Sequence, residues 1–351
     1  MRYMACWMLL STGILFGRTA SAQALQYKVA AVGFYNVENL FDTEDDLAIN
    51  DEEFLPEGPR KWTPAVYRDK LGNLARVISE LGTDLTPDGV ALLGVAEVEN
   101  RTVLEDLARQ PALVKRKYEV VHYDSPDRRG IDVGLLYQPK YFQVTSSRAI
   151  PLVLYNPEGE RIYTRDILYV SGLLDGEPLH VLVNHWSSRR GGEAATQPNR
   201  NAAAMVCKQL KDSLLQSEPD AKVIVMGDLN DDPVSPSVRQ VLAAKHKLKD
   251  VRPGDFFNPM HDFYKKGIGT LAYRDAWSLF DQLILSAGLV DPEVPGFRFH
   301  KAQVYNQPYL IQQEGRYKGY PFRTFDFEDY MGGYSDHFPV LLYLVKPIPR
   351  P

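Results

Sequence analysis

Cysteine is scarce in this sequence, with only Cys6 and Cys207 among 351 residues. Cys6 lies in an N-terminal segment that we expect to be cleaved off, so the remaining Cys207 cannot form an intramolecular disulfide. The apolar residues around Cys207 favour a position in the core. Internal repeats, low-complexity blocks and linker-like stretches are also lacking, which favours a single domain after the N-terminal segment.

An excess of basic residues is lacking as well. The sequence has 40 Lys and Arg residues against 45 Asp and Glu residues, and its formal net charge is −5 at pH 7. A protein that coats nucleic acid passively would displace counterions with a basic surface, so this balance argues against that class. The acidic balance is compatible with an enzyme that binds phosphate through a local cationic site or a metal ion. The composition, 44% hydrophobic and 24% charged, is that of a globular protein.

The N-terminus has the layout of a secretory signal peptide. Arg2 precedes an apolar stretch over residues 4–16, and Ala20-Ser21-Ala22 forms a small-x-small cleavage pattern. We therefore predict removal of residues 1–22, a catalytic domain spanning residues 23–351, and a secreted or periplasmic location; an uncleaved anchor is the alternative. No later stretch approaches the length of a membrane span, so we expect no stable membrane insertion.

Apolar segments of strand character alternate with amphipathic helical segments, while other strands follow one another directly as hairpins. Predicted strands cover residues 27–35, 90–95, 118–123, 133–137, 142–147, 166–173, 179–183, 223–226, 282–286 and 340–344. Predicted helices cover residues 66–81, 102–113 and 199–217. This mixture predicts a layered α/β fold with mixed rather than purely parallel sheets.

Polar clusters occur at the ends of six of these strands, either just after or just before the apolar run. Each cluster alone is typical of an ordinary turn. Together they place five carboxylates, two imidazoles and two amides beside apolar strands that would hold them rigidly. These residues are Glu38, Glu97, Asp228, Asp281, Asp336, His185, His337, Asn36 and Asn230.

This set of side chains has a chemical sense. Several oxygen ligands without a Cys/His tetrad suit Mg²⁺, with Mn²⁺ or Ca²⁺ as alternatives, rather than structural zinc. A histidine with a carboxylate partner suits acid–base work or charge stabilisation near neutral pH. Metal-assisted hydrolysis of a phosphoester needs both kinds of group.

Seven motifs in this order resemble those of the endonuclease/exonuclease/phosphatase superfamily, in particular a secreted bacterial member of this deoxyribonuclease-I-like group of magnesium-dependent hydrolases. They are NVENLFD (36–42), GVAEVEN (94–100), RGIDVGLLY (129–137), NHWSSRRGG (184–192), GDLND (227–231), FDQLILS (280–286) and YSDHFPV (334–340). The resemblance implies a four-layer α/β/β/α sandwich, in which two packed mixed β-sheets are flanked by helices. It also implies a magnesium-dependent phosphodiesterase or phosphatase.

The resemblance implies a metal site around Glu97, which corresponds to the principal metal ligand of the family. Asn36 and Glu38 would lie close to the metal, although many relatives carry Asp at the position of Glu38. Asp336 would be a further carboxylate on the metal side of the site.

The resemblance also implies the residues that act on the phosphoester. Asp228 would orient or deprotonate the attacking water, and Asn230 would donate to a phosphate oxygen. His337, paired with Asp281, would be an acid–base or transition-state-stabilising group. His185 matches a catalytic histidine that donates to a phosphate oxygen or to the leaving group.

Three arginines are candidates for substrate contact, because guanidinium groups offer paired donors to phosphate. They are Arg129 and, in the loop over residues 187–192, Arg189 and Arg190. A flexible, solvated loop is the alternative interpretation. Four aromatic residues are candidates for stacking on a base or ring, with a core position as the alternative. These are Trp62, Trp186, Tyr273 and Trp277.

The leading functional hypothesis is a monomeric metal-dependent phosphodiesterase, most simply a nuclease that acts on nucleic acid. The first alternative is a phosphatase or phosphodiesterase acting on a small or lipid substrate, such as an inositol phosphate or sphingomyelin. The second alternative is a non-catalytic binding protein on the same scaffold. The motifs favour an enzyme because none of the expected carboxylates and histidines is missing.

Overall fold

The computed structural model describes residues 26–348, which contain eighteen strands and four α-helices. The predicted signal peptide lies outside the described residues. The strands are β1 (Tyr27–Leu40), β2 (Val90–Val98), β3 (Glu119–His122), β4 (Asp132–Tyr137), β5 (Phe142–Ile150), β6 (Leu154–Tyr155), β7 (Arg161–Ile162), β8 (Ile167–Leu174), β9 (Glu177–His185), β10 (Val223–Asp228), β11 (Phe256–Phe257), β12 (Leu271–Tyr273), β13 (Ala276–Ser278), β14 (Asp281–Ser286), β15 (Arg298–Val304), β16 (Phe325–Asp326), β17 (Asp329–Tyr330) and β18 (Val340–Pro347). The helices are α1 (Pro64–Glu80), α2 (Arg101–Ala108), α3 (Glu193–Ser217) and α4 (His261–Lys265).

Twelve of these strands form two six-stranded mixed sheets. The first sheet has the order β15-β18-β1-β2-β4-β3, and the second has the order β11-β14-β10-β9-β8-β5. In each sheet the two central strands are parallel, β1 with β2 and β9 with β10, and the outer strands are antiparallel. The prediction of mixed sheets is therefore confirmed.

The parallel pairs require long crossover connections, and helices provide them. Helix α1 lies between β1 and β2 in the chain, and α3 lies between β9 and β10. Helix α1 begins at Pro64, two residues before the predicted start, because the Thr63 side chain accepts a hydrogen bond from the Val66 N–H and Pro64 occupies the first turn. Asn100 caps α2 in the same way, through the Val103 N–H.

The two sheets pack face to face through their central strands. A Cβ placed on Gly94 of β2 would lie 2.5 Å from Sδ of Met226 on β10 and 3.1 Å from Cγ1 of Val183 on β9. The absence of a side chain at Gly94 thus lets the sheets approach closely. The inner core between them is built from the apolar residues of both central pairs.

Helices cover the outer faces of both sheets. Leu74 and Ile78 of α1 join the core around the first sheet, while Ala203 and Cys207 of α3 pack with Val225 behind the second. The four-layer α/β/β/α sandwich is confirmed, and Cys207 is buried in it. Within residues 26–348 the structure contains no helix with the length and apolar character of a membrane span.

The central strands extend further than predicted. β1 continues to Leu40 and β2 to Val98, because Asn36 pairs with Ala96 and Leu40 pairs with Val98. The polar residues at these positions therefore belong to the ends of the strands themselves and not to the loops that follow them. β15 was not predicted, since Arg298–Val304 is a half-buried edge strand of mixed character.

Candidate active site

Four central strands bring polar side chains to one edge of the sandwich. Asn36 and Glu97 come from the parallel pair of the first sheet, and His185 and Asp228 end the parallel pair of the second. Asp228 pairs in register with His185 on one side and with Asp281 of β14 on the other. Since the carboxyl ends of parallel strands lie at the same edge, side chains that are distant in sequence meet there.

Asn36 links the two sheets at this edge. Its Nδ2 donates to Oδ2 of Asp228 at 3.1 Å and to Oε1 of Glu97 at 3.2 Å. The Asn39 N–H donates to the other oxygen of Glu97 at 3.2 Å. Asn36 is completely buried, so these two carboxylates are held at a defined separation by the amide between them.

The backbone around these groups is strained. Glu38, Glu97 and Asn230 have φ values of 51°, 63° and 48°, in the left-handed region that non-glycine residues avoid. Such positions cost about 1–3 kcal/mol each and persist only where the surroundings enforce them. These three residues therefore hold a backbone conformation that the surrounding structure must enforce.

His185 faces both carboxylates. Its Nε2 lies 3.6 Å from Oδ2 of Asp228 and 3.8 Å from Oε1 of Glu97. Burial, together with the charges of Arg165 and Arg129, lowers the pKa of His185 well below its usual value. Burial raises the pKa of Asp228 to about 7, although nearby His337 opposes the shift. His185 is therefore a neutral imidazole at physiological pH.

His337 has the opposite character. Its Nδ1 lies 2.7 Å from Oδ2 of Asp281, and its Nε2 lies 3.9 Å from Oδ2 of Asp228. Burial alone would lower the pKa of His337, but the contact with Asp281 outweighs burial and raises that pKa well above its usual value. The site thus contains one neutral and one cationic imidazole, and such a separation of pKa values is typical of divided acid–base roles.

Asn230 is positioned by its neighbours on both sides. Its backbone N–H donates to Oδ1 of Asp228 at 2.9 Å, and its Nδ2 donates to the carbonyl of Trp186 at 3.0 Å. The side-chain amide has two N–H groups, so one of them remains able to serve a ligand. The structure thus brings Asn230 to the same edge as Asp228.

Glu38 and Asp336 are bound to Arg323 and not to the cluster around Glu97. Arg323 contacts Glu38 at 3.3 Å and Asp336 at 3.2 Å, and the Thr324 N–H donates to Glu38 at 2.7 Å. Two of the three carboxylates predicted to lie at the metal, Glu38 and Asp336, are therefore paired with one guanidinium. Arg323 was not predicted because it lies in a loop with no motif or periodicity around it.

A second unpredicted arginine supports the loop after β9. Arg165 is buried. Its Nε donates to the carbonyl oxygen of His185 at 3.1 Å, and its Nη2 donates to the carbonyl oxygen of Trp186. Its Nη1 donates to Asp127 at 2.9 Å. Asp127 also accepts two hydrogen bonds from the side chain of Arg129, at 3.1 and 3.0 Å. Arg129 reaches the rim of the site, with its side chain 54% exposed. Since arginine is rarely buried, nothing in the sequence marked Arg165 as a site residue.

The other two predicted substrate-binding arginines differ from Arg129. Arg189 contacts Asp231 at 3.3 Å, Asp232 at 3.2 Å and Glu193 at 3.2 Å. Its positive charge is therefore already paired with carboxylates of the protein. Arg190 is exposed. The structure therefore leaves Arg190, but not Arg189, available to an incoming anion.

The side chains of this edge fit a divalent metal ion. Ligand atoms of Glu97, His185 and Asp228 lie within 4.8 Å of one another, as do those of Asp228, Asp281 and His337. Two buried polar atoms here, Nδ1 of His185 and Oδ1 of Asp281, have no hydrogen-bond partner among the described residues. Carboxylate oxygens suit hard cations, and a neutral imidazole is the form that can coordinate.

Comparison with known proteins identifies the family. A family model described as the endonuclease/exonuclease/phosphatase family matches residues 31–346 of the chain. The chain belongs to this family. Members of the endonuclease/exonuclease/phosphatase family hydrolyse phosphoesters.

Solved structures of the endonuclease/exonuclease/phosphatase family share the fold. A humanized TDP2 from D. rerio has a TM-score of 0.54 at 14% identity, over 90% of this chain and 98% of that chain. A family protein from Bacteroides thetaiotaomicron has a TM-score of 0.53 at 16% identity, over 93% and 98%. A mannosyl-6-phosphatase from the same organism has a TM-score of 0.52 at 16% identity, over 90% and 99%. No curated protein matches the chain by sequence.

Proposed function

We propose that this chain is a divalent-metal-dependent phosphodiesterase that cleaves nucleic acid. The observation that carries the proposal is the meeting of Glu97, His185 and Asp228 within 4.8 Å, beside the His337–Asp281 pair. Membership of the endonuclease/exonuclease/phosphatase family supports a phosphoester substrate. A solved relative, TDP2 from D. rerio, is described as a complex with a single-strand DNA product, which supports nucleic acid as the first substrate to test.

Glu97 is the residue that would hold the metal ion, with the Asn36 amide, His185 and Asp228 around it. Mg²⁺ is our first choice because two carboxylates dominate the set, and Mn²⁺ would suit the added imidazole. When bound, the ion would polarise the phosphoryl oxygen and lower the pKa of a water molecule. Glu38 and Asp336 would join the ligands only if Arg323 released them.

Asp228 is the group best placed to take a proton from the attacking water. Its carboxylate is buried, its pKa is raised to about 7, and its two oxygens are fixed by Asn36 and by the Asn230 backbone. A carboxylate of this kind accepts a proton near neutral pH more effectively than an exposed one. Asn230 would orient a phosphate oxygen with its remaining N–H.

Cationic groups near Asp228 and at the rim of the site would stabilise the charge that develops on the phosphoryl oxygens. His337 remains protonated because of Asp281, and Arg129 is charged at the rim. A preorganised donor in a partly desolvated site contributes about 10²–10³-fold to the rate. His185, as a neutral imidazole, would hold or donate a proton without adding charge.

The proposal includes export and a monomeric state. Residues 1–22 have a signal-peptide pattern, so the mature chain would begin at Gln23 and act outside the cytoplasm. N-terminal sequencing of the protein recovered from the medium or periplasm tests this directly. A first residue other than Gln23, or an intact N-terminus, would contradict it.

A substrate panel tests the proposed activity. The purified protein is assayed with Mg²⁺, Mn²⁺, Ca²⁺ or EDTA on single-stranded and duplex DNA, RNA, sphingomyelin, an inositol phosphate and mannose 6-phosphate. We expect metal-dependent cleavage of at least one nucleic acid. Cleavage of only the lipid or monoester substrates would replace the nuclease by the alternative hydrolase, and no hydrolysis of any substrate would contradict the enzyme.

A further inference from the structure

One flank of the candidate active site is formed by an aromatic wall, which we define as Trp277, Tyr317, Tyr320 and Arg323. The rings of Trp277 and Tyr320 lie 6.3 Å apart, and those of Tyr320 and Tyr317 lie 5.7 Å apart. The guanidinium of Arg323 lies 6.0 Å from the ring centre of Tyr317. The aromatic wall is therefore a continuous array of three rings that ends in a cation.

The aromatic wall is directly connected to the catalytic groups. Trp277 stacks on Phe338, with ring centres 5.8 Å apart and planes 16° from parallel. Phe338 follows His337 in the chain, and Arg323 at the other end contacts Asp336 at 3.2 Å. A group bound on the aromatic wall would thus lie near His337, whose imidazole we propose to stabilise the charge on the phosphoryl oxygens.

Exposure distinguishes Trp277 from the other tryptophans of residues 26–348. Trp62 and Trp186 are completely buried in the core, so they cannot stack on a ligand, whereas Trp277 is 38% exposed. Phe338 beneath it is buried and supports it. The exposed part of the Trp277 indole is therefore available to stack on a ligand.

The neighbouring ring is held in a fixed orientation. The hydroxyl of Tyr320 donates to Oδ1 of Asp275 at 2.6 Å and accepts from the Asp275 N–H at 2.7 Å. Asp275 lies in the turn between β12 and β13, and β13 carries Trp277. This contact joins the loop with Tyr320 to the hairpin with Trp277, so the wall is preorganised and a ligand would lose little affinity in ordering it.

We infer that the aromatic wall is the subsite for a nucleobase attached to the scissile phosphate. This inference rests on the proposed function, since the phosphate would be at His337. Aromatic rings with a planar guanidinium stack on any base through its π-face, so the subsite would tolerate all bases. The rings are tilted against one another, by 56° between Trp277 and Tyr320 and by 43° between Tyr320 and Tyr317, so a planar base would stack on one ring, and we choose Trp277 for the test.

Two substrates with the same leaving group test the inference. Thymidine 5′-(p-nitrophenyl phosphate) carries a base and methyl p-nitrophenyl phosphate does not, so any effect of the nitrophenyl ring cancels. We expect Trp277→Leu to lower kcat/KM for the thymidine substrate about tenfold, in line with the loss of one base–aromatic stack. The methyl substrate should change less than about twofold, and Trp277→Phe should retain most of the activity on both.

A matched control is Tyr27→Ala, because Tyr27 has a similar exposure of 41% and begins β1 at the end away from the site. It should alter neither substrate. Equal losses on both substrates, or no loss on either, would overturn the inference while leaving the hydrolase intact.

A binding measurement keeps the inference separate from the proposed function. Calorimetry with thymidine 5′-monophosphate should show weaker binding to Trp277→Leu than to the wild-type protein, even if no substrate is hydrolysed. Binding that depends on Trp277 without hydrolysis would support the subsite and contradict the enzyme. Two results would overturn the nucleobase subsite. One is equal affinity of thymidine 5′-monophosphate for the wild-type protein and for Trp277→Leu. The other is a higher affinity of the wild-type protein for mannose 6-phosphate than for the nucleotide, lost in Trp277→Leu.

Discussion

Nδ1 of His337 lies 2.7 Å from Oδ2 of Asp281, and both side chains are buried at the edge where the two sheets meet. The pairing is produced by register, since Asp281 lies beside Asp228 at the start of β14 while His337 precedes β18 of the other sheet. A buried carboxylate at this distance keeps the imidazole charged and fixes its orientation. The pair therefore connects the sandwich packing to the chemistry of the site.

Replacing Asp281 by Asn tests the role of this pair. The variant keeps the shape but removes the charge, so we expect kcat to fall about 10²–10⁴-fold with a small change in KM. Steady-state kinetics on a phosphodiester measures both constants. Glu218→Gln is a matched control because Glu218 lies 3.3 Å from Nε2 of His180, a second buried histidine at the start of β9. If both variants lost activity equally, the pair would have no special role.

Arg165→Lys tests whether the buried guanidinium positions the residues after β9. Lysine keeps the charge but cannot bond the carbonyls of His185 and Trp186 together with Asp127. We expect a loss of about 1–3 kcal/mol in the free energy of unfolding and a lower kcat. Denaturant titration and kinetics give the two values. Arg101→Lys, in an exposed pair with Glu105, should change stability by less than about 0.5 kcal/mol.

Full activity and unchanged stability in Arg165→Lys would contradict this account of the loop. A loss of stability alone, with kcat unchanged, would limit Arg165 to a structural role.

Gly227 lies where two strands approach too closely for a side chain. A Cβ there would be 2.2 Å from the carbonyl oxygen of Asn184, and φ is 158°. We expect Gly227→Ala to cost at least about 2 kcal/mol of stability. Gly72→Ala is the matched control, because Gly72 is exposed in α1 with open space around it and should gain about 0.5–1 kcal/mol. Thermal or urea unfolding measures the change in the free energy of unfolding of both variants. Equal changes in Gly227→Ala and Gly72→Ala would contradict the packing argument.

Much of the fold follows from patterns that are local in the chain. The run Val223–Met226 reads as a buried strand, and Gly227 to Asn230 reads as a turn. The structure confirms the strand but extends it to Asp228, so that Gly227 and Asp228 belong to β10 and the chain bends only at Asn230. The six polar clusters meet at one site because the parallel strands end at the same edge where the antiparallel strands β14 and β18 begin. The pairing of Asn36 with Ala96, which extends β1 beyond its apolar residues, depends on the neighbouring strand and was not predictable.

The candidate site was predictable in composition but not in its connections. The motifs named Glu38 and Asp336 as metal-side carboxylates, yet Arg323 from a loop without periodicity lies between them. Arg165 and Lys70 are buried cations, and sequence rules place such residues at the surface. These features depend on tertiary contacts between segments that are far apart in the chain.

Lys70 of α1 predicts a pH dependence of stability. It is completely buried with Nζ 2.8 Å from the carbonyl oxygen of Tyr334, and burial lowers its pKa to about 8 although Glu38 and Asp336 oppose the shift. An unfolded lysine titrates near 10.4. Between these values the unfolded chain binds one proton more than the folded chain, so this group makes the protein more stable as pH rises from about 8 to about 10.

Lys70→Met removes this titration and leaves the other groups in place. We expect the free energy of unfolding of the wild-type protein, relative to Lys70→Met, to increase over that pH window. Urea unfolding of both proteins at several pH values measures the difference. A difference that stays constant or decreases with pH would show that Lys70 keeps an ordinary pKa.

The most direct test of the central claim measures phosphodiester hydrolysis by the wild-type protein and Asp228→Asn, with EDTA and after Mg²⁺ or Mn²⁺ is returned. The account predicts activity that EDTA abolishes and metal restores, and a loss of at least about 10²–10³-fold in Asp228→Asn. Asp220→Asn, exposed just before the other end of β10, should retain full activity. Hydrolysis that survives EDTA, or an Asp228→Asn variant as active as the wild-type protein, would contradict the account.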